Sequence, residues 1–233
     1  MEDKTKNEDL SPLVIISKDR QRTNILKKYE QQFIAFLVQR VPSWISSDML
    51  TGIGFAGNII IFLSFILAYY ISPVYLLIGV FGFFVSWFGD SLDGRIAYYR
   101  RIPRKWYGFT LDITTDWVGI ILIGCGFIVY AKNPWELFGF GFVVLYGWEM
   151  LTALLRYKIT NEYSIDSGKL GPTEVRIIIS LILILEVLVN GSIHYSTALA
   201  CIILLITNII DTIKLLKLGD IRDKKEKEAA KNL

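Results

Sequence analysis

Apolar runs long enough to cross a bilayer recur along the chain, separated by short connections rich in polar, glycine and proline residues. A membrane helix needs about 20 predominantly apolar residues. On that criterion the pattern predicts six spans, at roughly 49–70, 73–97, 108–131, 134–156, 173–190 and 195–216. The fifth is short enough to require tilt or local thinning of the bilayer. Ahead of the first span, Ile25, Leu26, Tyr29, Phe33, Phe36 and Leu37 recur at helical spacing among basic and amide residues. This predicts an amphipathic helix over about 20–46, lying on the membrane surface. Pro42 and the Ser46-Ser47-Asp48 cluster then turn the chain and offer an N-cap to the first span. The expected organisation is a mobile N-terminal segment (1–19), the amphipathic juxtamembrane helix (20–46), a six-helix transmembrane domain (47–217) and a charged tail (218–233). The fold class is thus an all-α integral membrane protein.

Charge sets the orientation. Lys27, Lys28 and Arg40 precede the first span, and Arg100, Arg101, Arg104 and Lys105 fill the second connection. Arg156, Lys158 and Lys169 lie between the fourth and fifth spans, and Lys217, Arg222, Lys224 and Lys225 follow the last. The opposite connections hold only Lys132, so the positive-inside rule places both termini and the basic connections in the cytosol. No cleavable signal peptide is apparent. A net charge of +3, parcelled among loops, does not describe a nucleic-acid groove. There is no GxxxxGK[ST] run for a P-loop, and no Ser-His or Cys-His pair at the inner face for nucleophilic catalysis. Cys125 and Cys201 lie within apolar spans without CxxC spacing, and His194 is expected in an outer loop.

Four aspartates change the picture. Asp90 and Asp93 lie near the end of the second span, and Asp112 and Asp116 near the start of the third. An ionised carboxylate within a membrane helix costs about 2.5–3.5 kcal/mol, so four uncompensated ones would cost on the order of 10–14 kcal/mol. At helical spacing Asp90, Asp93, Gly94 and Ala97 share one face, and Gly108, Asp112 and Asp116 share another. Two carboxylate faces flanked by small residues make a pocket of hard oxygen ligands. Mg²⁺ or Mn²⁺ suits such a donor set and usually completes its shell with substrate phosphates.

The frame Asp90-x-x-Asp93-Gly94-x-x-Ala97 followed by Gly108-x-x-x-Asp112-x-x-x-Asp116 resembles the signature of the CDP-alcohol phosphotransferase family. That signature reads D-x-x-D-G-x-x-A-R, a spacer, then G-x-x-x-D-x-x-x-D. Tyr98 stands where the family has arginine, and the spacer is one residue longer than in the commonest form. The resemblance implies a membrane enzyme that transfers a phosphoalcohol group from a CDP-linked donor to a second alcohol and releases CMP. It also implies that the four aspartates hold divalent metal, that Asp116 is the catalytic base, and that Gly94, Ala97 and Gly108 leave room for the cytidine nucleotide. The expected donor is a CDP-linked lipid such as CDP-diacylglycerol, with a small alcohol or phosphorylated polyol as acceptor. The reverse assignment, a small CDP-alcohol donor with a lipid acceptor, uses the same residues.

A phenol cannot bind phosphate bidentately as a guanidinium does. Arg101 lies eleven residues after Asp90, three turns along, and it, or secondarily Arg100, is expected to supply the missing charge if the helix persists to Ile102; the alternative is that both are cytoplasmic anchors. Arg156, Lys169 and Arg176 gather near the fifth span, where Gly171-Pro172-Thr173-Glu174 also resembles a stretch in one branch of the family. They read either as an acceptor-binding pocket or as inside-positive anchors. Glu149 stands two turns before Arg156 on one face, Asp211 one turn before Lys214, and Glu186 deep in the fifth span without an obvious partner. Asn58 and Asn208 are expected to hydrogen-bond between helices. The small and aromatic residues of Phe138 to Trp148 would permit close packing in a homodimer. Two non-enzymatic readings share the acidic cluster: a CDP-lipid-binding protein without turnover, and a divalent-cation transporter. The apolar run Trp117 to Ile123 offers no onward path for a cation.

Overall fold

The computed structural model describes residues 27–160 and 171–231, and all regular structure among them is helical. The helices are α1 (Lys27–Val38), α2 (Ser47–Tyr70), a 3₁₀ turn (Pro73–Tyr75) leading into α3 (Leu76–Tyr99), α4 (Lys105–Ala131), α5 (Glu136–Thr160), α6 (Pro172–Leu188) and α7 (Ser192–Lys231). Among the described residues five segments are long and apolar enough to cross a membrane: α2, the 3₁₀ turn with α3, α4, α5 and α7. The fifth expected span is α6, whose 17 residues reach about 25 Å at 1.5 Å per residue, short of a hydrocarbon core of roughly 30 Å. The protein is therefore an all-α, multi-pass membrane protein.

Local signals account for the helix boundaries. Ser46 caps α2 by accepting from Met49 N at 3.1 Å, with Asp48 in the first turn where the helix dipole favours a carboxylate. Asp48 also receives a hydrogen bond from Arg104 Nη2, which raises the Arg104 guanidinium above its ordinary pKa and ties the start of α2 to the start of α4. Pro73 occupies the first position of the 3₁₀ turn, after the Ser72 cap.

Helix α2 packs against α3 and α4, α4 against α5, α5 against α7, α7 against α6 and α6 against α3, so six helices close a ring. The α2/α3 contact is made by glycines. A Cβ placed on Gly57 would come within 2.4 Å of Ser86 N, and one on Gly89 within 2.3 Å of Gly54 N, so the two backbones touch. Such close approach lets dispersion and polar contacts hold helices together where lipid supplies no hydrophobic drive. We expect Gly89→Ala to destabilise the bundle by about 1–3 kcal/mol through overpacking. Gly52→Ala, whose added Cβ meets nothing within 4 Å, should leave the thermal midpoint in detergent unchanged. Equal midpoints for the two variants would refute the close-packed interface.

Three expectations need correction. The helix expected over 20–46 is helical from Lys27 only to Val38 among the described residues, and the chain turns from there to Ser46. Its buried face is Ile34, Ala35 and Val38, packed with Leu50, Leu92 and Ile96; Tyr29, Phe33 and Phe36 are exposed. The charged tail is not a separate segment, because α7 continues to Lys231. Pairs at i,i+4 support it, Asp220 with Lys224 at 2.8 Å and Arg222 with Glu226 at 2.7 Å. Arg222 Nη1 also donates to Lys158 O at 2.7 Å and Ile159 O at 2.8 Å, joining α7 to the last described turn of α5. His194, expected in a loop, sits in the first turn of α7 with Nε2 2.9 Å from Ala131 O.

Candidate active site

Helices α3 and α4 both lean on α2, and at the end of the ring where α3 passes to α4 their aspartates converge. Asp90, Asp112 and Asp116 each offer a carboxylate oxygen within 4.8 Å of the other two. Asp112 is buried and the other two are half-buried. This spacing and the all-oxygen donor set fit a divalent cation such as Mg²⁺ or Mn²⁺. Asp93, expected as a fourth ligand, stands outside this group. Its Oδ2 accepts from Thr51 Oγ1 at 2.7 Å, and its Oδ1 accepts from Gly94 N. Ser47 Oγ donates to Asp93 O at 2.9 Å, so two side chains of α2 hold this turn of α3. A Cβ built on Gly94 or on Gly108 meets nothing within 4 Å, which leaves open space on either side of the carboxylates. Ala97 is half-buried a turn further on, where its carbonyl accepts from Ile102 N.

Among the described residues, Arg176 of α6 faces the carboxylates. Its Nη1 lies 2.7 Å from Asp90 Oδ2 and its Nη2 lies 3.9 Å from Asp116 Oδ1. Sequence spacing pointed to Arg101 for this charge, but the helical premise fails. Helix α3 ends at Tyr99, and Arg101 takes a left-handed φ of 59° and faces outward. Pro103 disfavours helix at Ile102, so the chain turns before a third helical turn can form. Arg100 instead donates to Ile45 O at 2.5 Å and Pro42 O at 2.8 Å, fastening the connection between α1 and α2.

Arg156 lies 3.4 Å from Asp211 Oδ2, while Lys214 holds Asp211 Oδ1 at 3.0 Å, so the expected Asp211–Lys214 pair is extended by a second cation. Lys169 lies outside the described residues. The Gly171-Pro172-Thr173-Glu174 stretch starts α6: Gly171 N donates to Glu174 Oε2 at 3.0 Å, and Thr173 Oγ1 donates to Glu30 Oε1 of α1 at 2.8 Å. These bonds fix where Arg176 begins its reach.

From Asp116 a cleft runs into the ring. Asp116, Arg176, Tyr146 and Asn58 supply its polar groups, and Ile120, Met150 and Ile179 are among its apolar walls. Beyond it lies an apolar pocket that shares Ile123 and Ile179 with the cleft and is also lined by Ile193 and Thr197. Sequence reading missed Tyr146 and Thr51 at the site. Tyr146 was hidden in an aromatic-rich span whose helical face cannot be told from lipid-facing positions by composition. Asn58 accepts from Ser86 Oγ at 3.0 Å, and Asn208 Nδ2 donates to Leu145 O at 2.8 Å, both between helices as expected.

Among the described residues the helical membrane ring thus brings Asp90, Asp112, Asp116 and Arg176 together beside a cleft with largely apolar walls, a polar site set within an apolar bundle. The CDP-alcohol phosphatidyltransferase family model matches residues 44–212, from the turn before α2 to the middle of α7. The chain belongs to that family, which implies transferase activity on a CDP-alcohol. No curated protein matches the chain. The family generally uses a divalent metal, in keeping with the Asp90, Asp112 and Asp116 cluster.

Gly94→Val tests the open side of the site. The fold has space for it, so the thermal midpoint should move by no more than about 2 °C, as for a surface change. The KM for the CDP-linked donor should rise at least about tenfold, a loss of roughly 1.4 kcal/mol of binding. An unchanged KM would place the nucleotide elsewhere.

Proposed function

We propose that the protein transfers a phosphatidyl group from CDP-diacylglycerol, or a closely related CDP-lipid, to a small acceptor alcohol and releases CMP. The observation that carries this reading is the convergence of Asp90, Asp112, Asp116 and Arg176 at the polar end of an apolar cleft. A lipid-linked diphosphate needs both halves: cationic and metal-ligating groups for the phosphates, and an apolar path for the tails.

Asp90, Asp112 and Asp116 would hold Mg²⁺ or Mn²⁺, which when bound neutralises diphosphate charge and stabilises the departing CMP. Asp116 lines the cleft and accepts the proton of the acceptor hydroxyl. The alcohol oxygen then bonds to the lipid-side phosphorus, the bond from that phosphorus to the CMP oxygen breaks, and the electron pair leaves with CMP. Asp112, buried between α4 and its neighbours, has little freedom to move and serves to hold rather than to shuttle a proton. Gly94 and Gly108 admit the nucleotide beside the carboxylates. The basic residues of the connections favour a cytosolic orientation for this end of the ring, where CDP-activated donors and phosphorylated polyols are found.

The direct test is to incubate the purified protein in detergent with CDP-diacylglycerol, Mg²⁺ or Mn²⁺ and a set of candidate alcohols, and to measure CMP. CMP release that requires both the metal and one acceptor supports the reading and identifies that acceptor. Metal-dependent binding of the CDP-lipid with no CMP released for any acceptor would reject it.

A further inference from the structure

Arg176 stands in an unusual place for a substrate-binding cation, directly on two of the carboxylates that a metal would use. It reaches them from α6, sixty residues beyond Asp116 in sequence, and its fork faces Asp90 at 2.7 Å and Asp116 at 3.9 Å. Both carboxylates and the guanidinium lie largely inside the bundle, with side-chain exposures of 21%, 39% and 16%. Gathering three acids in such a place is costly without a cation, and a guanidinium suits the task because it stays charged and spans two oxygens. Yet a divalent ion binding Asp90 and Asp116 needs the same oxygens.

We propose that Arg176 is a built-in counter-cation that trades places with the divalent metal: it holds Asp90 and Asp116 together until the ion takes them. It then turns within the cleft to the donor diphosphate, supplying the guanidinium that Tyr98 lacks. This rests on the metal-dependent transferase reading above. The geometry permits the exchange. The backbone of α6 is fastened at its start by the Gly171–Glu174 and Thr173–Glu30 hydrogen bonds, so releasing the side chain does not release the helix. Arg176 also lines the cleft together with Pro172, Val175 and Ile179 of its own helix, so the freed fork remains where a diphosphate beside Asp116 would lie. A fork that fits two carboxylates fits two phosphate oxygens equally well.

An exchange of this kind makes two affinities move in opposite directions. Mn²⁺ binding is measured by electron paramagnetic resonance on the full-length protein without nucleotide, and CDP binding by calorimetry at saturating Mn²⁺. Removing the competing cation in Arg176→Gln should tighten Mn²⁺ binding about tenfold, within the usual range of coupling between linked sites. The same variant should weaken CDP binding about tenfold or more, as expected for a lost bidentate contact to phosphate. Arg176→Lys keeps the charge and the fold but not the fork, and should fall between wild type and Arg176→Gln on both scales. Mn²⁺ affinity that is unchanged or weaker in both variants overturns the exchange, as does CDP binding that neither variant alters. A wild type that binds no Mn²⁺ overturns it too. Neither measurement needs turnover, so the opposed shifts without any CMP release would strike the transferase reading alone.

Discussion

Asp116→Asn is expected to lower the rate of acceptor-dependent CMP release by at least about a hundredfold, the lower end of what general-base catalysis contributes. The amide keeps the shape of the carboxylate and can still sit near Arg176 Nη2, but it cannot take a proton from the attacking hydroxyl. The stronger Arg176 contact, 2.7 Å to Asp90, does not involve residue 116, so the ring should assemble as before. The loss should therefore appear in kcat at saturating donor, with a thermal midpoint close to wild type. Asp220→Asn, on the exposed end of α7, is the matching control and should retain full activity. If Asp116→Asn kept more than about a tenth of the wild-type rate, a shortfall of less than 1.4 kcal/mol in the barrier, the base would have to be sought elsewhere.

The largest stability effect is expected at the opposite end of the ring. Glu186 is fully buried, and its carboxylate accepts from Tyr130 OH at 2.7 Å, Gly191 N at 3.0 Å, Ser192 Oγ at 3.3 Å and Ile193 N at 2.8 Å. These donors come from α4 and from the turn that opens α7, where the first N–H groups of a helix have no partner of their own. One side chain thus joins α4, α6 and α7. Glu186→Ala leaves four donors without this acceptor, Ile193 N buried and the other three part-buried, and a fully buried unsatisfied group costs about 1–3 kcal/mol. With partial relaxation we expect a loss of roughly 3 kcal/mol or more, which lowers the midpoint by about 6–12 °C in a chain of this size. Thermal unfolding in detergent, followed by tryptophan fluorescence, reads this directly. Glu186→Gln, which retains one acceptor oxygen, should fall between the two. A midpoint for Glu186→Ala within 2 °C of wild type would show that water or neighbouring groups replace the carboxylate.

Part of the site was legible in the chain. Helical spacing put Asp112 and Asp116 on one face and Asp90 near the facing end of its neighbour, and all three meet. Helix positions followed from hydrophobic run length, because a membrane span must satisfy its own backbone and therefore has to be helical. Glycines at 54, 57, 82 and 89 were visible too, but only the packed pair of helices shows that they touch.

Other features depend on partners far away in sequence, and no local pattern reports them. Asp93 shares its helical face with Asp90, yet Thr51, forty-two residues earlier, turns it toward α2. Arg101 was the nearer guanidinium by spacing, but α3 ends at Tyr99 and Arg101 takes a left-handed φ, so the helical register that the spacing assumes is not kept. Arg176 reached the carboxylates because α6 docks against α3, and the tail became helix because Arg222 found the end of α5. Glu186 looked unpaired until α4 and α7 brought four donors to it. The sequence by itself determined that the chain forms membrane helices and which acids its two central spans carry, since both follow from periodicities of a few residues. The tertiary structure alone decided which cation faces those acids and which buried charges are satisfied. Those outcomes depend on hydrogen bonds and ion pairs between separate helices, whose geometry arises only when the ring closes.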